Sequence, residues 1–157
     1  MSKILSNYAA IGAGLIIIFF IIYFVFRKND PLPEPDPKCI WHTTAKVDRV
    51  YDGDTIFAHV KGHKPIDKKP VGIRVRGIDA PEMNAKSPAL KKKAEKAKAL
   101  VEQQIEKART VHLYNVSMND KYGRILATVF CDRTDLAKML KEKKLAKAYD
   151  GGKKPKW

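Results

Sequence analysis

The segment 72–82, GIRVRGIDAPE, combines a two-faced strand with a proline-fixed bend. Apolar and arginine side chains alternate along its first half, which is typical of a strand with one buried face. Pro81 ends the strand because its ring fixes φ and removes an amide donor. Asp79 and Glu82 stand on either side of that proline. The segment predicts groups able to hold a phosphate beside a divalent metal; an amphipathic strand with a charged turn is the alternative.

Residues 9–26, AAIGAGLIIIFFIIYFVF, contain no charged side chain. As a helix they would rise roughly 27 Å, which is enough to cross the hydrocarbon core of a bilayer. A cleaved signal peptide is the alternative, but its apolar region would be about 7–15 residues. We therefore predict a short N-terminal tail, residues 1–8, followed by one transmembrane helix at 9–26.

A proline-rich spacer follows at 27–38, with proline at every second position from 31 to 37. Alternating prolines block helix and sheet pairing and favour an extended polyproline II chain. The spacer would hold a domain, residues 39–157, away from the membrane. Arg27 and Lys28 against Lys3 favour a single-pass protein with this domain on the cytoplasmic side, by the positive-inside rule.

The charge of the chain is strongly positive, with 31 Lys and Arg against 17 Asp and Glu and a formal net charge of +14. Such a surface suits a polyanion, either nucleic acid or an anionic membrane. Two cysteines, Cys39 and Cys131, are too few for a disulfide framework. The four histidines show no spacing typical of a zinc site, with each other or with the cysteines.

Periodicity in the C-terminal domain predicts five strands and two helices. The strands are predicted at 45–51, 55–60, 71–78, 111–116 and 125–131. Ser87 and Pro88 form a helix start, and an apolar stripe follows at spacings of three and four. Thr134 is expected to cap a second, short helix. Five short strands with an intervening helix predict a mainly β, α+β fold: a closed OB-fold barrel with flanking helices.

Two acidic positions at the ends of these strands suit a hard cation. Asp54 follows the tight turn Asp52–Gly53. Pro81 moves the preceding residue out of the helical region, which can turn the Ala80 carbonyl outward beside Asp79. Calcium takes carboxylate and backbone carbonyl oxygens together. Glu82 could then lie one water away and act as a general base.

Two arginines could bind phosphate oxygens. Arg124 follows a predicted turn at 120–123 and stands at the start of the fifth strand, where its guanidinium can bind phosphate in a bidentate manner. Arg74 and Asp79 are five residues apart, so strict alternation would place them on opposite faces of the strand. We expect a bulge or bend, most easily at Gly77, that brings them together.

In this order, these segments resemble the staphylococcal-nuclease-like (thermonuclease) family. The matching segments are VYDGDT at 50–55, Arg74 ahead of DAPE at 79–82, DKYGR at 120–124 and KLAKAY at 144–149. The resemblance implies an OB-fold barrel and a Ca²⁺-dependent phosphodiesterase acting on DNA and RNA.

The resemblance also implies a role for each matching residue. Asp54 and Asp79 would bind Ca²⁺ through their side chains and Ala80 through its carbonyl, at a position where members of the family often have Thr. Glu82 would be the general base. Phosphate binding would fall to Arg74 and Arg124, and the nucleotide pocket would be lined by Lys121, Tyr122 and Tyr149.

The sequence thus predicts a membrane-anchored, Ca²⁺-dependent nuclease that hydrolyses phosphodiester bonds of DNA, RNA or both. Its partners would be the nucleic acid and, through residues 9–26, a lipid bilayer; no obligate protein partner is predicted. The main alternative is a catalytically inactive OB-fold module that binds nucleic acid while tethered to a membrane. A third hypothesis is a structural membrane protein whose charge binds anionic lipid.

Overall fold

The computed structural model of the chain describes residues 42–62, 69–118 and 123–157. The predicted N-terminal tail, the predicted transmembrane helix, the whole spacer at 27–38 and residues 120–122 of the predicted turn lie outside these ranges. Within the described ranges, no helix combines the length and the apolar character needed to cross a membrane.

Eight strands and two helices make up the described part of the chain. The strands are β1 (Thr43–Val50), β2 (Thr55–Val60), β3 (Val71–Val75), β4 (Ile78–Asp79), β5 (Val111–Met118), β6 (Ile125–Cys131), β7 (Thr134–Asp135) and β8 (Lys147–Ala148). The helices are α1 (Pro88–Lys107) and α2 (Leu136–Glu142).

Five strands close into a barrel. The main sheet has the order β3-β2-β1-β5-β6-β7, and β3 also pairs with β6, so that β1, β2, β3, β5 and β6 form a ring. The closing pair is parallel, with Ile73 opposite Ile125 and Val75 opposite Ala127, whereas the other pairs in the ring are antiparallel. The predicted OB-fold barrel with flanking helices is confirmed.

The interior of the barrel is filled by alternate side chains of the ring strands. Ile56, Ile73, Leu113, Ile125 and Val129 are fully buried. Leu136 and Leu140 of α2 are also fully buried and belong to the same core. Burial of this alternating set explains why period-two patterning identified the ring strands.

Three local predictions need correction. The predicted strand at 71–78 is divided, because Gly77 has φ +79° and turns the chain between β3 and β4. The cap of α2 is Asp135 rather than Thr134, since the Asp135 side chain accepts a hydrogen bond from the Lys138 amide. Ser87 precedes α1 as expected but makes no side-chain capping bond.

Helix α1 lies close to the turn that follows β1. Ala94, Ala97 and Val101 form its buried stripe. A Cβ on Gly53 would come within 2.8 Å of the Cβ atoms of both Ala80 and Ala97. The absence of a side chain at Gly53 therefore lets three segments meet: the turn at 52–54, the bend after β4 and the helix.

Candidate functional site

A cleft of about 680 Å³ opens beside the end of β1, the β3–β4 turn and the start of β6. Acidic, arginine and aromatic side chains meet there. The lining includes Tyr51, Asp52, Asp54, Thr55, Arg74, Glu82, Arg124, Tyr149 and Lys154. The lining comes from segments distant in sequence, because barrel closure and the short β4–β8 pair bring them to one side of the domain.

Asp54 is buried at one end of this cleft, with 3% of its side chain exposed. Its Oδ1 accepts a hydrogen bond from Thr55 Oγ1 at 3.1 Å and forms an ion pair with Arg74. Its Oδ2 accepts a 2.6 Å hydrogen bond from the Ala80 amide. This carboxylate therefore ties the turn after β1 to both β3 and the bend after β4.

Arg74 and Asp79 lie on the same side of the chain. Arg74 Nη2 donates to the Ile78 carbonyl at 3.1 Å and lies 3.4 Å from Asp79 Oδ1. The positive φ of Gly77 produces the bend that was expected there, and this bend brings Arg74 and Asp79 together. The Tyr149 amide donates to the Gly77 carbonyl, which anchors β8 and Tyr149 beside the same bend.

Arg124 reaches the cleft from the start of β6, the strand that is adjacent and parallel to β3. Its Nη1 donates to Thr55 Oγ1 at 3.3 Å, so the Thr55 hydroxyl links Arg124 to Asp54. The aliphatic part of Arg124 crosses Gly72, where an added Cβ would meet Arg124 Cγ at 3.1 Å. Thr55 is 4% exposed, so this link is shielded from solvent.

The two guanidinium groups of the cleft are close enough to influence each other. Burial, followed by the charge of Arg124, lowers the pKa of Arg74, and the surrounding carboxylates oppose that effect. Arg76 points elsewhere: its Nη2 donates to the Asn115 carbonyl and to Ser117 Oγ, each at 2.9 Å. Of the two arginines on the predicted strand, Arg74 is therefore the one that contacts the carboxylates.

Asp52 is a further buried acid in the cleft. Its Oδ1 accepts a hydrogen bond from the Asp54 amide at 3.0 Å, which shapes the turn. Burial raises the pKa of Asp52, the charge of Arg74 acts in the opposite direction, and the charge of Glu82 raises it further. The cleft thus contains a carboxyl group that resists ionisation beside others paired with cations.

The segment 149–157 folds across the acidic end of the cleft. Lys154 Nζ lies 2.8 Å from Glu82 Oε1 and 3.2 Å from Asp79 Oδ1, and these contacts raise the pKa of Lys154. Trp157 Nε1 donates to Asp79 Oδ2 at 2.8 Å. The ammonium groups of Lys93 and Lys147 lie 5.0 and 4.8 Å from the Trp157 ring centroid, within the range of cation–π attraction.

The structure brings together seven of the residues singled out from the sequence: Asp54, Arg74, Asp79, Ala80, Glu82, Arg124 and Tyr149. Lys121 and Tyr122 lie outside the described residues. Sequence reasoning missed Asp52, Thr55, Lys154 and Trp157 as members of the site. The first two stand within the DGDT motif, but nothing in the sequence indicates that residues 154–157 fold back onto it.

No group of three or more His, Cys, Asp or Glu side chains in residues 42–62, 69–118 and 123–157 is arranged to hold a metal ion. The oxygens of Asp54 and Asp79 are nevertheless hard donors of the kind that Ca²⁺ prefers. Both carboxylates are buried, and a cationic group, Lys154, already binds Asp79 and Glu82. The chemistry of this donor set fits a calcium ion that has a backbone carbonyl and waters as further ligands.

A family model described as staphylococcal nuclease homologue matches residues 72–156. This match covers more than half of the chain and includes most of β3, the proline bend, β5, β6 and β8. The chain belongs to the staphylococcal nuclease homologue family. Its barrel is therefore that of a staphylococcal nuclease-like domain.

Two relatives are similar to this staphylococcal nuclease homologue. An uncharacterized protein of Bacillus anthracis is 33% identical over 88 residues, which are 55% of this chain and 38% of that protein. A thermonuclease of Staphylococcus hyicus is 26% identical over 148 residues, which are 94% of this chain and 82% of the relative. The chain thus spans well under two thirds of the first relative and most of the second.

Proposed function

We propose that this chain is a nuclease that hydrolyses phosphodiester bonds of DNA, RNA or both, with Ca²⁺ as its cofactor. The observation that carries the proposal is the meeting of two guanidinium groups from adjacent strands beside a buried acidic pair. Arg74 contacts Asp54 and Asp79, and Arg124 joins them through Thr55. The similarity to a thermonuclease supports the same reaction.

Arg74 and Arg124 would bind the non-bridging oxygens of the scissile phosphate. The bidentate guanidinium matches phosphate geometry, and two such groups offset the negative charge that develops during attack at phosphorus. Their fixed positions matter here, because stabilisation by preorganised charge needs no reorganisation during the reaction. The contacts to Ile78, Asp79 and Thr55 supply that preorganisation.

Glu82 would accept a proton from the attacking water. Its side chain is 58% exposed and reaches the cleft beside Lys154. This exposure gives water access to the carboxylate, and general bases of this kind must lie within hydrogen-bond reach of the water they activate. The proton leaves the water as its oxygen bonds to phosphorus. The bond to the leaving oxygen breaks on the opposite side, and that oxygen keeps the bonding electrons and takes a proton from solvent.

Asp54 and Asp79 would hold Ca²⁺ through carboxylate oxygens, with the carbonyl of Ala80 as a third ligand. The ion would supply positive charge that lowers the cost of the developing phosphorane charge. Lys154 and Trp157 occupy the oxygens of Asp79, so these two side chains must give up their contacts when the ion binds.

The test is digestion of single-stranded DNA and RNA by the full chain, with Ca²⁺ and with excess chelator. We expect cleavage that depends on Ca²⁺. Arg74→Ala and Arg124→Ala should each lower the rate by about 10²–10³-fold, the loss typical of one charge donor. Arg109→Ala, in an exposed position away from the cleft, is the matched control for lost positive charge. Full activity in chelator would contradict the role of the metal.

A catalytically inactive nucleic-acid-binding module is the second candidate. The contacts of Lys154 and Trp157 with Asp79 and Glu82 favour it, since they occupy oxygens that catalysis needs. Such a module would bind DNA with steep salt dependence, because its basic surface displaces counterions. Binding without any cleavage in saturating Ca²⁺ would support this candidate over the nuclease.

We also propose that residues 9–26 anchor the protein in a membrane with the domain on the cytoplasmic side, because the segment is charge-free and Arg27 and Lys28 follow it. The double substitution Ile17→Arg and Phe20→Arg should release the full chain from sedimented membranes. Protease protection of the unmodified protein tests on which side of the membrane the domain lies. Sedimentation of both forms with membranes would contradict the anchor.

A further inference from the structure

We propose that Tyr51 is a stacking platform for an unpaired nucleobase of the substrate, next to the nucleotide whose phosphate is bound by Arg74 and Arg124. This inference rests on the proposed function and adds a base-binding position to it. It follows from the exposure of Tyr51, the groups that support its ring and its place at the mouth of the cleft.

Tyr51 is 53% exposed, an unusual degree of exposure for a large side chain in this domain. Its backbone is nevertheless fixed, because the Tyr51 amide donates to the Thr55 carbonyl at 3.0 Å. Single exposed aromatic residues are common on protein surfaces and need no explanation by themselves. Tyr51 differs because it lines the cleft that contains both arginines.

The ring of Tyr51 is supported from one side. Phe57 lies against it in an edge-to-face arrangement, with ring centroids 6.3 Å apart and an interplanar angle of 71°. Arg49 covers Phe57 in turn, with its guanidinium carbon 4.1 Å from the Phe57 centroid. Arg49 therefore covers Phe57, which is half-buried, and Tyr51 is the exposed aromatic ring of the pair.

These side chains continue directly into the phosphate-binding part of the cleft. Phe57 pairs with Gly72 across β2 and β3, and an added Cβ on Gly72 would lie 3.7 Å from Phe57 Cε1 and 3.1 Å from Arg124 Cγ. Arg49, Phe57 and Arg124 thus form one strip across the barrel surface. In OB-folds, the strand 2–3 face and the loop after strand 1 bind oligonucleotides, and this strip lies there.

Stacking on Tyr51 has a consequence for the form of the substrate. A base can lie on the tyrosine ring only when it is free from its neighbours in a duplex, and every base has a π-face that can stack. The platform therefore predicts a preference for single strands over duplexes, with little dependence on base identity. The positive charge of Arg49 adds attraction for the phosphate backbone that leads to the platform.

Binding of a fluorescent single-stranded oligodeoxynucleotide to the full chain tests the proposal, in chelator so that hydrolysis does not interfere. Tyr51→Ala should weaken binding by roughly 5- to 150-fold, which corresponds to the loss of one base–aromatic stack. Tyr51→Phe keeps the ring and should bind within about twofold of the unmodified protein. An abasic oligonucleotide of equal length should bind Tyr51→Ala and the unmodified protein equally.

Two results would overturn the platform: equal affinity of Tyr51→Ala and the unmodified protein for the normal oligonucleotide, or the same loss with the abasic one. Neither affects the proposed reaction, which is measured separately as Ca²⁺-dependent cleavage and its loss in Arg124→Ala. A third outcome is that no cleavage is seen, while Tyr51→Ala weakens binding of the normal oligonucleotide but not of the abasic one. The stacking platform is then supported, but as part of a nucleic-acid-binding module rather than a nuclease.

Discussion

The ammonium group of Lys154 lies 2.8 Å from Glu82 Oε1 and also contacts Asp79. One side chain therefore joins the proposed general base to a proposed metal ligand. A cation at this position balances negative charge that Ca²⁺ would otherwise balance. Lys154 and the proposed Ca²⁺ would therefore compete for the same carboxylates.

We expect Lys154→Ala to bind Ca²⁺ more tightly than the unmodified protein, by about three- to tenfold, because a competing charge-assisted hydrogen bond is lost. The measurement is calorimetric titration of the full chain with Ca²⁺, without nucleic acid. Lys153→Ala removes the same charge from the neighbouring exposed position and is the matched control. Equal effects of the two substitutions would mean that overall charge, rather than the Lys154 contact, sets the affinity.

The hydroxyl of Thr55 links the Asp54 carboxylate to the Arg124 guanidinium. Thr55→Val keeps the shape of the side chain but removes both hydrogen bonds, so we expect the cleavage rate to fall about tenfold. Thr55→Ser keeps the hydroxyl and should retain most activity. If valine and serine variants lose activity equally, packing of the methyl group is responsible rather than the hydroxyl.

Stability should depend on pH through Asp52. Burial raises the pKa of this carboxyl in the folded state, so the folded chain binds the proton more strongly than the unfolded chain does. Stability contributed by this group is therefore lost as pH rises through the folded-state pKa. Asp52→Asn removes the ionisation and keeps an oxygen for the Asp54 amide.

We expect Asp52→Asn to raise the melting temperature by a few degrees near neutral pH, measured by circular dichroism in chelator. The gain should shrink as the pH falls below the ordinary aspartate pKa of about 3.9, because both states are then protonated. A difference that stays constant across this range would show that the charge of Asp52 is not its cause.

Gly53→Ala should lower the free energy of unfolding by about 1–3 kcal/mol, the usual cost of forcing a methyl group into a packed region. The new Cβ would meet Ala80 and Ala97 at 2.8 Å. Urea denaturation measures the loss. Ala97→Gly relieves one of the two contacts, so its own cost should be smaller in the Gly53→Ala background than alone. Strict additivity would contradict the close approach.

Strands whose alternate side chains enter the barrel were predictable from the sequence. The bounds of β2 and β6 match the prediction because each strand has one buried face along its whole length. The start of α1 was equally clear from Ser87 and Pro88. A bend at Gly77 was expected, but its division of the strand into two could not be predicted. A glycine within an alternating run is compatible with either a strand or a turn.

Contacts between distant segments were harder to predict from a single sequence. Arg74 and Arg124 could be proposed from resemblance, but the link through Thr55 depends on the parallel pairing of β3 and β6. Residues 153–157 are mostly basic and carry no apolar periodicity, so they predict a solvated tail. The positive φ angles of Gly151 and Gly152 turn this segment toward Asp79 and Glu82. The charge of the segment does not predict such a turn.

Closure of the barrel by β3 and β6 has a consequence for how the protein matures. The two strands of that closing pair are far apart in sequence, since Ile73 pairs with Ile125 and Arg74 with Leu126. Contacts between such distant segments carry a large loop-closure cost and form slowly. A chain still emerging from the ribosome, with β6 not yet made, cannot bring the two guanidinium groups together. The proposed hydrolysis would therefore begin only once the ring is complete, and an unfinished chain would leave the RNA around it intact.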